Sequence, residues 1–281
     1  MCSSDLSLGL GAEIAEQFVA AGASLMLCAR NAAALEAQRR RLAAAYPNSR
    51  IVIHRADVSD RSDVDSLFAA AMSELGKLDI IVNNAGVYGP MGSIDAIDWD
   101  EWVQAIAINL TGVVYCSRKA VEAFKRNRYG KIINLSGGGA TNPLPGISAY
   151  AASKAAVVRF TETLALEVKE FGIDVNAVAP GALATRLTDQ LVAAGPERVG
   201  AGLHERMTRL QKEGGTPLNI GASLCVYLAS AESDGLTGRL IAAQWDPWPF
   251  ADSIKSKIDA SDIYTLRRIV PGDRGESWDK T

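Results

Sequence analysis

KIINLSGGGATNPLPGISAYAASKAAVVRFTETLALEVKEFGIDVNAVAPG, residues 131–181, holds the pattern that decides the fold. Lys131–Leu135 is a short apolar run, Ala149–Phe171 a long helical one, and Ile173–Val178 a second apolar run stopped by Pro180-Gly181. Runs this apolar suit strands covered on both faces, and a helix between two of them is the crossover that a parallel pair requires. The alternation extends toward the start through a long helix at Trp99–Asn127, a strand at Asp79–Val82, a helix at Arg61–Leu75 and a strand at Ile51–His54. Before these come a helix at Ala32–Tyr46 stopped by Pro47, a strand at Ser24–Cys28, and a helix at Gly11–Ala21 with Ile14, Ala15, Phe18 and Val19 on one face. Toward the end, a mixed polar and helical stretch reaches Gly215, and a helix near Leu218–Ala229 precedes a strand at Arg239–Ala243. The expectation is an α/β domain, a doubly wound and mostly parallel sheet with helices on both faces. It spans residues 7–244, with a tail over 245–281.

The 281 residues carry 29 Lys and Arg against 32 Asp and Glu, a net charge of −3. That argues against a partner nucleic acid, whose phosphates call for a basic surface. Hydrophobic residues make up 48% of the chain, enough for a sizeable core, yet no apolar run is long enough to span a membrane. Cys2, Cys28, Cys116 and Cys225 are widely spaced and read as apolar fillers in a reducing cytoplasm, not as a disulfide or zinc framework. With two histidines, His54 and His204, a multi-histidine metal site is not expected.

A doubly wound domain normally opens with a strand that feeds a glycine-rich turn and then a helix. Gly9-Leu10-Gly11 stands directly before the first helix, but Met1–Leu8 does not read as a buried strand. Residues 1–6 spell what the end of a sequencing adapter encodes in one frame, so native sequence is expected to resume near Ser7; the alternative is a short natural N-terminus.

The sharpest chemical pattern is Tyr150-Ala-Ala-Ser-Lys154, whose spacing of four puts both side chains on one helical face. An ammonium beside a phenol favours the phenolate, so Lys154 is expected to lower the Tyr150 pKa and let it exchange a proton with a substrate oxygen. Standing alone, the same spacing also fits a solvated helix face.

The pattern is accompanied by Gly9-Leu10-Gly11, Asn83-Asn84-Ala85-Gly86, Asn109, a strand ending at Ser136, and Asn176-Ala-Val-Ala-Pro180-Gly181. In this order the motifs resemble the short-chain dehydrogenase/reductase family, with a Rossmann-like fold, over roughly Ser7 to Ala243. The resemblance implies an oxidoreductase moving hydride between a nicotinamide and a carbonyl/alcohol carbon of a small molecule. It makes Tyr150 the general acid/base and Lys154 its partner, which also holds the cofactor ribose. Asn109 would support a proton relay through its backbone; read alone, it is equally a mid-helix asparagine facing solvent. Gly9, Leu10, Gly11, Asn83, Ala85, Gly86, Pro180, Gly181 and Thr185 would line the cofactor. Asp57 and Val58 would contact the adenine, although Asp57 could also cap the next helix. Trp99–Asn127 and Ala149–Phe171 match the helices of the family's subunit contacts and imply a homodimer or homotetramer.

Where the family has the end of its second strand, this chain has Cys28-Ala29-Arg30, without the carboxylate that binds the NAD ribose. Arg30 could pair with the extra phosphate of NADP(H), which is favoured over NAD(H). Two positions depart from the family. Asp5 replaces the first glycine of the cofactor turn, and Gly137 stands where the family has its catalytic serine. Ser136 could serve instead, or Thr141, Asn142 or Ser148, or Tyr150 could act alone. Alternatives to the dehydrogenase reading are a non-catalytic cofactor-binding or scaffold protein and an epimerase or dehydratase that recycles its nicotinamide. Arg186, Arg198, His204, Arg206 and Arg209 lie in the family's variable substrate segment, where they read as anion recognition or as solvated helix faces. Trp245 and Trp248 could wall the pocket or anchor the tail.

Overall fold

The computed structural model describes residues 9–278. The expectations for residues 1–6 and for Asp5 lie outside them. Along the chain come α1 (Leu10–Ala20), β1 (Leu25–Ala29), α2 (Ala32–Ala45), β2 (Ile51–Arg55), α3 (Arg61–Leu75), β3 (Ile80–Asn83), α4 (Trp99–Ile106), α5 (Gly112–Asn127) and β4 (Gly130–Leu135). They are followed by α6 (Ser148–Val168), β5 (Ile173–Ala179), α7 (Arg186–Ala194), α8 (Pro196–Val199), α9 (Ala201–Glu213), α10 (Leu218–Ala229), β6 (Leu240–Ala242) and α11 (Asp252–Asp259).

All ladders among the described residues are parallel. Leu25 pairs with Ile51, Ile80 with Lys131, Gly130 with Ile173 and Ala177 with Leu240. The strands fall into a β1-β2 pair and a β3-β4-β5-β6 set, and no ladder joins β1 to β3 among the described residues. The core bridges the two sets. Leu27, Val82, Ile133, Val178 and Ile241 from five strands pack with Ile14 and Phe18 of α1 and Leu224 and Cys225 of α10. On the other face Ile132 and Val175 pack with Val64, Phe124 and Leu164 of α3, α5 and α6. Each such side chain, fully buried, contributes about 1.5–3 kcal/mol. This is the doubly wound α/β arrangement, with helices covering both faces.

Local chemistry sets the ends of the elements. Asp60 caps α3 by accepting from the backbone N–H groups of Ser62 and Asp63, and the helix stops at Gly76 with φ 77°. Asp60 therefore does the capping suggested for Asp57, which instead holds the Ser59 backbone N–H and hydroxyl. The segment expected as one helix over Trp99–Asn127 is helical throughout but widens to a π turn at Ala107–Thr111. Such an inserted residue re-aims the side chains around it.

The tail anchors on the domain. Trp248 stacks on Tyr227, Phe250 and Ile258 are buried, and the buried Arg239 guanidinium donates to the carbonyls of Ser261 and Ile263. Leu240 of β6 donates to Tyr264 O, so the tail covers the outer edge of the sheet. Trp245, by contrast, is exposed. Cys116 and Cys225 are free and buried as expected, but Cys28 is disulfide-bonded, against the expectation of apolar thiols throughout. No helix among the described residues is long and apolar enough to cross a membrane.

Candidate active site

In a parallel sheet the C-terminal strand ends open onto one crevice, and the residues singled out above fall along it. At one end Cys28, Arg30, Ala56, Asp57, Val58, Ala85 and Ile108 line a pocket between the ends of β1, β2 and β3. Its walls are mostly apolar. Arg30 stands at the rim, half exposed, with Nη1 3.9 Å from Asp57 Oδ2. The head of α1 carries Gly9 as its N-cap, and Leu10 and Gly11 are buried behind it.

The centre is held by side chains that bind backbone. Asn109 lies in the π turn and is fully buried, so its solvent-facing reading is ruled out. Its Oδ1 accepts from Val87 N and its Nδ2 donates to Val87 O, both at 2.8 Å, and Nδ2 also reaches Ser153 Oγ. The side chain thus pins the loop after β3 to α6. Asn83 points into the sheet, where Nδ2 donates to Asn134 Oδ1 and Ser117 Oγ, and Asn134 in turn donates to Thr161 Oγ1. Gly86 packs close: a Cβ there would lie 3.5 Å from Lys154 Nζ and 3.6 Å from Asn109 Oδ1.

Lys154 is buried and donates to Leu135 O at 2.7 Å, with its Nζ 5.7 Å from the Tyr150 ring centroid. Burial pulls its ammonium down to about 8. Tyr150 packs edge-on against Tyr88, with centroids 4.8 Å apart. Burial raises the Tyr150 phenol above its ordinary range, and the neighbouring Tyr88 adds to the rise. Tyr88 itself is pushed up to about 12 by burial, opposed by the charge of Arg206. The expectation that Lys154 lowers the Tyr150 pKa is therefore corrected. The ammonium is engaged with a β4 carbonyl, and desolvation together with Tyr88 moves the phenol upward instead.

Of the candidates to replace the serine at Gly137, Ser148 Oγ already accepts from Trp102 Nε1, and Thr141 and Asn142 bond each other in an exposed turn. Ser136 is different, because its hydroxyl is buried and has no hydrogen-bond partner. Pro180 is buried at the end of β5. Gly181 takes φ 96°, and a Cβ there would press on the Thr216 side chain, which bonds Gln244. Thr185 precedes α7 without capping it through its side chain.

Sequence reasoning missed Tyr88, Ser153, Thr216 and the Ser117–Asn134–Thr161 network. Asn134 inside an otherwise apolar strand was the readable signal for the network; Tyr88, just past Asn83–Gly86, was the one for the aromatic contact. Above the site, Leu203, Met207 and Leu210 of α9 join Leu191 of α7, Tyr88 and Tyr150 in one apolar cluster.

A crevice ending in a flat apolar pocket, with a rim arginine, a glycine at a helix head and an unpaired buried hydroxyl on Ser136, fits a bound dinucleotide. The family model for short chain dehydrogenases matches residues 6–195. The chain is 38% identical to 3beta-hydroxysteroid dehydrogenase 1 of Eggerthella lenta over 235 residues, covering 83% of this chain and 87% of that one. L-fucose dehydrogenase of Oryctolagus cuniculus is 33% identical over 226 residues, covering 80% of this chain and 76% of that protein. Among solved structures, levodione reductase superposes with a TM-score of 0.78 at 26% identity, over 86% of this chain and 93% of its own. The chain belongs to the short-chain dehydrogenase/reductase family. It is an oxidoreductase acting on CH–OH/C=O groups with a nicotinamide cofactor and a small-molecule substrate.

Proposed function

We propose that the chain is an NADP(H)-dependent oxidoreductase in which Tyr150 exchanges the proton of the substrate oxygen. The observation that carries this reading is the placement of Tyr150 and the buried Lys154 side by side at the head of α6, with Nζ 5.7 Å from the Tyr150 ring centroid. When bound, the nicotinamide supplies or accepts the hydride. The residues of the chain do the rest. A phenol carries its proton at neutral pH and can donate it to the oxygen of a carbonyl as that oxygen gains charge during reduction. Lys154, through Leu135 O, ties α6 to the end of β4 and fixes the tyrosine's distance from the sheet. Asn109 holds the Gly86–Val87 backbone where the cofactor would lie. Ser136, whose buried hydroxyl has no hydrogen-bond partner among the described residues, offers a further donor to the substrate oxygen beside Gly137.

Arg30 supports NADP(H), since its half-exposed guanidinium stands at the pocket rim and neither Cys28 nor Ala29 carries a charge. Gly9, Leu10, Gly11, Asp57, Val58, Ala85, Pro180, Gly181 and Thr185 complete the cofactor set, and Asn83, its side chain turned into the sheet, backs it from β3. The apolar cluster of Tyr88, Leu191, Leu203 and Met207 suits a substrate with an apolar body, a feature shared with the steroid named for the bacterial relative. A homodimer or homotetramer is supported by exposed Trp99 and Val103 on α4 and exposed Leu166 on α6. The free thiols Cys116 and Cys225 suit a reducing cytoplasm, whereas the Cys28 disulfide pulls the other way.

The test is Tyr150→Phe, assayed by NADPH oxidation against a carbonyl panel. Turnover should fall by about 10²–10⁴-fold with cofactor binding retained. Unchanged turnover would remove Tyr150 from the role of proton donor, and a parent chain that binds NADPH but turns over no carbonyl would return the scaffold reading. Product formed without net NADPH consumption would return the epimerase or dehydratase.

A further inference from the structure

The three consecutive glycines after Ser136 have three different surroundings. A Cβ built on Gly139 would lie 2.8 Å from Ala151 Cα and 3.2 Å from Ala151 Cβ, so that glycine lets α6 approach the loop. One on Gly138 would meet nothing within 4 Å. One on Gly137 would collide with the Tyr150 hydroxyl oxygen and lie 3.3 Å from Cζ and 3.7 Å from Cε1. Backbone geometry does not ask for glycine at 137, since φ 175° and ψ 178° are extended and open to any residue. What the position lacks is room for a side chain.

Tyr150 cannot easily retreat from such a side chain. Tyr88 packs against its ring from another side, and Ala149, beside it on α6, is fully buried. The Tyr150 carbonyl is held by Ser153 Oγ, which also accepts from Asn109. The hydroxyl therefore rests on the bare backbone at the end of β4.

We propose that Gly137 is a positioning residue: lacking a side chain, it seats the Tyr150 hydroxyl on the β4 backbone and sets the depth at which that hydroxyl meets the substrate oxygen. The inference rests on Tyr150 as the proton donor. It differs from the view that glycine here is merely a lost serine. In this chain a serine would occupy the tyrosine's own place.

A double-mutant cycle tests the seat without using activity. Gly137→Ala should lower Tm when Tyr150 is present and cost much less in the Tyr150→Phe background, where no hydroxyl meets the added methyl. Gly138→Ala, in open space, is the control and should leave Tm unchanged. If the Gly137→Ala effect is the same in both backgrounds, the seat does not exist. Kinetics then tests the positioning. Gly137→Ala and Gly137→Ser should both lower kcat by up to about 100-fold, the order expected of a misplaced reacting group, with KM nearly unchanged. A rise in kcat for Gly137→Ser with Gly137→Ala silent would overturn the proposal in favour of a lost serine. Should Tyr150→Phe retain full turnover while the Tm coupling persists, the seat stands and the role of Tyr150 as proton donor fails.

Discussion

Strand β4 has a buried lysine at each end, and the two are treated in opposite ways. At the start, Lys131 Nζ lies 2.7 Å from Asp174 Oδ2 and 2.6 Å from Asp234 Oδ1. Burial lowers its pKa, but the bonds and charges of the two aspartates more than offset this and hold the ammonium above its ordinary range. Asp174 is itself raised by burial, opposed by Lys131. The two partners thus pull in different senses, and the short bonds favour a charged cluster. At the far end, Lys154 donates to the Leu135 carbonyl, no carboxylate among the described residues is bonded to it, and burial pulls it down to about 8. A buried lysine with anions around it fastens a fold, while one left with a neutral acceptor is poised to lose its proton. The second kind stands beside Tyr150.

The largest effect that would sharpen this contrast is at the fastened end. Lys131→Met leaves the buried Asp174 without its cation, which typically costs about 3–5 kcal/mol. The lower figure is expected, since Asp234 is largely exposed and can be hydrated. Chemical unfolding should record the loss, while kcat/KM stays near that of the parent chain. A stability change below about 1 kcal/mol would remove the structural role given to the cluster.

The far end gives a pH signature of the opposite sign. Folded Lys154 releases its proton at about 8, while in the unfolded chain it holds it to the ordinary value of 10.5. Between these pH values the unfolded state binds more protons, so this lysine adds stability as pH rises. The gain amounts to roughly 3 kcal/mol across the window at about 1.4 kcal/mol per pH unit. Lys131, with its raised value, loses its contribution above the ordinary lysine range instead. Unfolding of the parent chain and of Lys154→Met, compared from pH 7.5 to 10.5, isolates the rise. Equal slopes for the two proteins would mean that Lys154 is not held in a depressed state.

How far the sequence could be read follows the same division between packing and polar detail. Leu25–Ala29 is buried at every position, and Ile132, Ile133, Val175 and Val178 fill both faces of the sheet, so apolar runs sufficed for strands and layers. The spacing of four in Tyr150 and Lys154 likewise brought both to one site. Other features depend on where backbone groups end up. The π turn that turns Asn109 inward has no sequence mark beyond an asparagine within a helix. The pairing of Lys154 with Leu135 O follows from packing between α6 and β4. Residues 183–215 read as mixed polar, because α7 to α9 bury only one narrow side against Tyr88 and Tyr150. The buried Arg239 could not be foreseen, since its partners are carbonyls of the tail.

The smallest expected effect carries the contrast to the edge of the crevice. Arg30 is half exposed, and its 3.9 Å contact with Asp57 is too long for a hydrogen bond. An exposed pair of this kind is worth about 0–1 kcal/mol, so Arg30→Ala should barely move Tm. If the guanidinium meets the extra phosphate of NADPH, its loss should cost about 1.5–3 kcal/mol of binding, a rise in Kd of roughly ten- to a hundredfold. NADH, which lacks that phosphate, should bind as before. Fluorescence titration of both cofactors against the parent chain and the variant measures the two responses together. Equal weakening for NADPH and NADH would make Arg30 a general rim charge and remove the basis for preferring NADP(H).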